Sequence, residues 1–173
     1  MHIIIGLIGI IGAAYYWAIR AKNAAEMAKV VAEVPNDIRL AARRFGFRRQ
    51  LNKHSADSVD EPKLAIAGIT IAFFELGSLP TEEQKQKLFL QVQSVLDTTR
   101  SEAEELLVLG RWLINECGGN DAGIARLSKR LNKIAGADGF SDLLALIKNV
   151  LGESWNQDQL AALNDVKRAF GIR

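Results

Sequence analysis

Few side chains in this chain of 173 residues have the types and spacing that chemistry requires. It holds two histidines, His2 and His54, and one cysteine, Cys117. A catalytic or ligating histidine usually comes with partners, as in His-Glu-x-x-His, and a redox or zinc site comes with paired cysteines, as in Cys-x-x-Cys. Neither pattern occurs, and no glycine-rich loop is spaced to cradle a phosphate. The expectation is a chain with no catalytic residues, no cofactor and no enzymatic role. His54 stands alone in a polar stretch and reads as an exposed loop histidine. Cys117 reads as a small, half-buried apolar residue. A single cysteine forms no internal disulfide, which fits a reducing cytoplasm.

Carboxylates provide one recurring pattern. Phe74-Glu75-Leu76-Gly77 leads through a short turn to Thr81-Glu82-Glu83, and Asn149-Val150-Leu151-Gly152 leads likewise to Gln157-Asp158. Each junction has an apolar helix end, Leu-Gly, a turn, and an acid six residues after the glycine, Glu83 in one and Asp158 in the other. Acids there suit the first turn of a helix, where negative charge meets the positive end of the dipole. The spacing suggests two halves of one helical domain.

The elements that would position these groups begin with a greasy leader. From Ile3 to Ile19 there is no charge, and Arg20 is the first charged side chain. At about 1.5 Å per residue the run reaches roughly 25 Å as a helix, the short end of what crosses a bilayer core of about 30 Å. A secretory signal would open on a basic region and close on small residues. This run opens on Met1-His2 and closes on Tyr15, Tyr16 and Trp17, which suit the headgroup interface. A retained anchor is expected. Gly6, Gly9 and Ala13 share one face of it, where small residues let another helix approach closely.

Residues 20–53 hold nine Lys or Arg against Glu26, Glu33 and Asp37, a local net charge of +6, within a chain whose total is only +2. By the positive-inside rule this puts the N-terminus outside and the remainder in the cytoplasm. Pro35 ends or kinks the first helix. After it, Arg39, Arg43, Arg44, Arg48 and Arg49 surround apolar residues at helical spacing. Such a helix fits an anionic leaflet, where each nearby cation is worth about 1 kcal/mol, or an acidic protein surface. No nucleic-acid motif accompanies it. Lys53 to Pro62 is polar and reads as a linker.

From Lys63 to Leu76 the chain is nearly all apolar, too short and too closely flanked by charge for a second span, and reads as a buried central helix. Further helices are expected after Thr81, after Ser101 (with Glu104 as a capping box), from Asp121 to Ile134, from Phe140 to Leu151 and from Gln157 to Phe170. Leu160, Leu163, Val166 and Phe170 are expected to face inward in the last. Gly136 to Gly139 is expected to separate two helices. The fold class is thus all-α: one N-terminal transmembrane helix, then a compact bundle of about six or seven helices. The expected divisions are an anchor helix with its cytoplasmic extension over 1–34, a basic amphipathic helix and linker over 35–60, and a helical domain over 61–173.

On its helix order and the two Leu-Gly junctions, the region from about residue 60 to 173 resembles the TerB-like (tellurite-resistance) helical family. Members of that family carry Asp-Gly after an apolar helix and an acid opening the next, and those acids are associated with metal binding. Here Leu76 and Leu151 stand where the family has Asp, and only Glu83 and Asp158 match the second acid. Each half-site lacks a principal ligand, so the expectation is no retained metal site.

The functional expectation is a non-catalytic accessory or adaptor subunit in the bacterial inner membrane. It crosses once and docks on an integral membrane complex, the respiratory chain being one such complex. Anionic lipid headgroups are its second expected partner, nucleic acid is not, and the small-residue face leaves a homo-oligomer open. The alternative that the resemblance implies is a metal-responsive or stress-related sensor, with Glu83 and Asp158 as the acids in question.

Overall fold

The computed structural model describes residue 45 and residues 54–76, 80–152 and 154–172, all within one compact unit, Asp37–Arg173. The described residues are helical and contain no strand. A short 3-10 turn, Ser55–Ser58, precedes five helices: α1 Pro62–Glu75, α2 Glu82–Val95, α3 Arg100–Glu116, α4 Asn120–Leu151 and α5 Gln157–Ala169. No helix among them is long and apolar enough to cross a membrane. The leader Ile3–Ile19, its face Gly6, Gly9 and Ala13, and the arginines Arg39, Arg43, Arg44, Arg48 and Arg49 lie outside the described residues.

The described residues are all-α, with five α-helices. Two expected helices, the anchor and the basic amphipathic helix, fall outside them, and two others are joined in α4. Gly136 breaks that helix with φ 55° and ψ −137°, a conformation open to glycine, so the chain turns without leaving a loop. Beyond the break the helix still packs on its neighbours. Gly139 lies close against Leu131 and Ala135, and Phe140 meets Phe170 at 5.3 Å between ring centroids.

Helix α1 is the centre of the bundle. Pro62 occupies its first turn, where the missing N–H costs nothing, and the Glu61 carboxylate accepts from the Lys63 N–H. Its residues from Leu64 to Phe74 are all buried. A helix apolar all round has no face to give to water and must be enclosed. Helices α3 and α4 enclose it, α2 packs on α3 and α4, and α5 packs on α4. The β-branched content of α1 does not make it a strand, because Ala65, Ala67, Gly68 and Ala72 let neighbouring helices close in on it. Thr70, the one buried hydroxyl there, donates to the Ile66 carbonyl at 2.9 Å.

The crossing of α1 and α3 is set by two glycines. A Cβ on Gly110 would stand 3.0 Å from both Cα and N of Gly68, so the two backbones nearly touch. Three of the five helix starts carry a side-chain cap that closes on itself. Thr81 with Gln84, Thr99 with Glu102 and Asn156 with Gln159 each form a reciprocal capping box. The cap of helix α3 is therefore Thr99, two residues before the expected Ser101.

Candidate functional site

Two surface clefts gather the polar side chains with recognisable chemistry. One lies where the two Leu-Gly junctions meet. The Asn156 side chain caps α5 and donates to the Leu76 carbonyl at 2.9 Å, and Gln159 donates to the Phe73 carbonyl at 3.2 Å. The Phe73 carbonyl also accepts from the Leu76 N–H at the end of its own helix, and the start of α5 adds partners for these last carbonyls of α1. The similar junctions, far apart in sequence, are thus joined through side chains of the second. Beside this contact, Leu76, Asp121, Asp158 and Asp165 line a cleft of about 340 Å³, floored by Ile124 and Ala162. Asp165 is paired with Arg168 at 3.2 Å. Glu83 stands exposed in the first turn of α2 and is not part of this cleft. Among the described residues, no group of three or more His, Cys, Asp or Glu side chains is placed to hold a metal ion.

The second cleft is larger, about 510 Å³, and basic. Arg126, Lys129, Arg130 and Lys133 recur along α4 at offsets of three, four and seven, so they share one face. Asp57 and Cys117 complete the rim. Arg126 grips Asp57 with two hydrogen bonds, Nε to Oδ1 at 3.0 Å and a terminal nitrogen to Oδ2 at 2.7 Å. Arg130 donates to the Val59 carbonyl and to Asp60. The Arg126 guanidinium holds the Asp57 carboxyl below the usual carboxylate range, against a smaller opposing effect of burial. Burial pushes the Cys117 thiol up, so at neutral pH it carries its proton.

The stretch from His54 to Asp60, expected as a linker, is packed. Ala56 and Val59 are fully buried, and Ser55 and Ser58 nearly so. His54 is half-buried and takes part in the turn. Its Nδ1 accepts from the Ala56 N–H at 3.2 Å, so its Nε2 carries the proton and donates to the Glu116 carbonyl, also at 3.2 Å. Ser55 donates to the Glu116 carboxylate at 3.2 Å. Polar composition misled here because the polar groups find partners on α3 and α4. The basic face of α4 was also missed, although its spacing is visible in the sequence. The alternating apolar set Ile124, Leu127, Leu131 and Ile134 on the same helix drew the reading toward the core.

No family model, curated protein or solved structure matches this chain. The functional reading therefore rests on the residues themselves.

Proposed function

We propose that this chain is a non-catalytic accessory or adaptor subunit, anchored in the bacterial inner membrane by one helix and docking on a larger membrane complex through that helix and its cytoplasmic helical domain. The observation that carries the proposal is the uncharged run Ile3–Ile19 followed at once by the +6 segment 20–53. Gly6, Gly9 and Ala13 would meet a partner helix or a second copy of the anchor, and Arg39, Arg43, Arg44, Arg48 and Arg49 would meet anionic headgroups or an acidic partner. A folded, all-helical domain with charged outer faces supports a role in contact rather than in conversion. Purification of the full chain through a C-terminal tag in mild detergent should bring down a membrane partner in fixed ratio. Recovery of the lone chain would overturn the proposal.

One observation favours the metal-responsive reading that goes with the TerB-like resemblance. Asp158 shares a cleft with Leu76, Asp121 and Asp165, so carboxylates do gather at the junction the resemblance singles out. Calorimetric titration of the full chain with Ca²⁺, Mg²⁺ and Zn²⁺ separates the two. Tight binding that Asp158→Asn abolishes would put the sensor first, and no binding would leave the adaptor.

A further inference from the structure

We propose that one face of α3 is the acidic surface that the arginines of residues 39–49 bind, so that the basic segment docks on its own domain. The inference deepens the reading in which those arginines meet anionic headgroups or an acidic partner. It rests on that reading for their role as a contact surface, and it chooses the acidic partner.

Along α3, Glu102, Glu105, Leu109, Trp112 and Glu116 recur at offsets of three, four, three and four, so they share one face. Three carboxylates thus flank two large apolar side chains. Leu109 is fully buried and Trp112 half-buried. One carboxylate oxygen of Glu105 is buried as well. None of Glu102, Glu105, Trp112 and Glu116 stands free. A carboxylate taken that far out of water is held by a cation, because its charge is too costly to bury alone. The two cations of α3 itself serve elsewhere, Arg100 with Glu104 and Arg111 with Glu75. The charge that balances this stripe therefore comes from outside α3.

Three observations name the segment that brings it. Residues 38–53 hold six cations, Arg39, Arg43, Arg44, Arg48, Arg49 and Lys53, and no acid. The compact unit begins at Asp37, and Phe45, in the middle of this run, is half-buried against the core. Four of the arginines lie within four residues of Phe45, so a side chain seated on the protein holds them near its surface. The run also ends at this helix. His54 donates to the Glu116 carbonyl and Ser55 to the Glu116 carboxylate, at the last residue of the stripe. The nine peptide steps from Phe45 to His54 span at most about 30 Å. Helix α3, of 17 residues, is about 25 Å long, so the whole stripe is within reach. Arginine suits the place, since its planar fork takes both oxygens of a carboxylate and stacks on an indole such as Trp112.

Hydrogen exchange read by mass spectrometry tests this on the full chain in phosphatidylcholine nanodiscs, which offer no net negative charge. Peptides covering residues 38–49 should exchange more slowly than free chain by about tenfold or more, the worth of one charged hydrogen bond. The variant Glu102→Gln/Glu105→Gln/Glu116→Gln should lose most of that protection, while Glu82→Gln/Glu83→Gln, on α2, should keep it. Should the triple variant also loosen α1, the segment's own variant Arg43→Gln/Arg44→Gln/Arg48→Gln/Arg49→Gln decides, because it leaves α3 unaltered and should expose 38–49 alone. Full exchange of 38–49 in the unaltered chain, or protection that survives both variants, would overturn the proposal. So would protection that appears only when phosphatidylglycerol is added, which would give the arginines to lipid. Recovery of the lone chain in the tag purification would sink the adaptor and leave the exchange result standing.

Discussion

Helix α4 has two faces held to the rest of the molecule by different physics. Inward, Ile124, Leu127 and Leu131 are buried in the core around α1. Outward, Arg126 and Arg130 reach across to Asp57, Val59 and Asp60, some seventy residues earlier in the chain. The apolar face is stabilised by area removed from water, which has no direction and tolerates exchange among residues of similar volume. The charged face contributes less energy, but its hydrogen bonds have direction and fix where the 54–60 turn lands. Stability should therefore track the first face, and the position of the 54–60 turn the second.

The largest expected effect lies on the inner face. Leu127→Ala should destabilise the domain by about 2–5 kcal/mol, since it removes a fully buried side chain and leaves a cavity. A urea unfolding curve followed by circular dichroism reads it, and a loss below the cost of a surface mutation would break the contrast. At the α1–α3 crossing Gly110→Ala should cost about 1–3 kcal/mol, because the new Cβ meets backbone that cannot rotate away. By comparison Gly123→Ala meets the terminal carbon of Ile114, a flexible end, and should cost less.

On the outer face the two arginines should separate. Arg130→Ala takes away a charged hydrogen bond to the carbonyl of buried Val59 and should cost about 1–2 kcal/mol. Arg126→Ala breaks a pair whose two side chains are each 44% exposed, and should cost under about 1 kcal/mol. Both should raise amide exchange at Ala56 and Asp57 more than in α1. An equal rise throughout the domain would show that the turn is not a separate unit.

The smallest effect is a dependence on pH. Asp57 has its folded pKa lowered by Arg126, so its ionised form is favoured in the folded state. Its contribution is present above the unfolded value, about 3.9, and is lost as pH falls through the lower folded value. Asp57→Asn should thus be less stable than the unaltered chain at neutral pH and equal to it once the pH is well below that window. Parallel urea midpoints for the two chains across the whole range would remove the pair from the account.

Where the sequence was legible, the reason is local. Thr81 was readable as a cap because its partner Gln84 lies one turn away and the box closes within the same segment. Helix α1 was readable as central because no residue from Leu64 to Phe74 offers a charge to water. Thr99 and Ser101 both precede a glutamate by three residues, and the earlier pair prevails, lengthening α3 by two residues. Leu160 was expected inward and is 49% exposed. The rotation of α5 is set by Gln159, buried against the end of α1, together with Ala162 and Val166, and Leu160 falls to one side of that face.

By itself, then, the amino-acid order determined an all-helical body, most of its helix starts, an uncharged leader and a basic stretch behind it, because each depends on residues within a turn or two of one another. Only the tertiary structure decided that two Leu-Gly junctions meet, that the polar stretch around His54 is bound to α3 and α4, and that four cations of α4 edge a single cleft with Asp57. Those pairings join residues some sixty to eighty positions apart. Nothing in a local pattern encodes which distant carbonyl or carboxylate will be within reach once the apolar faces have packed.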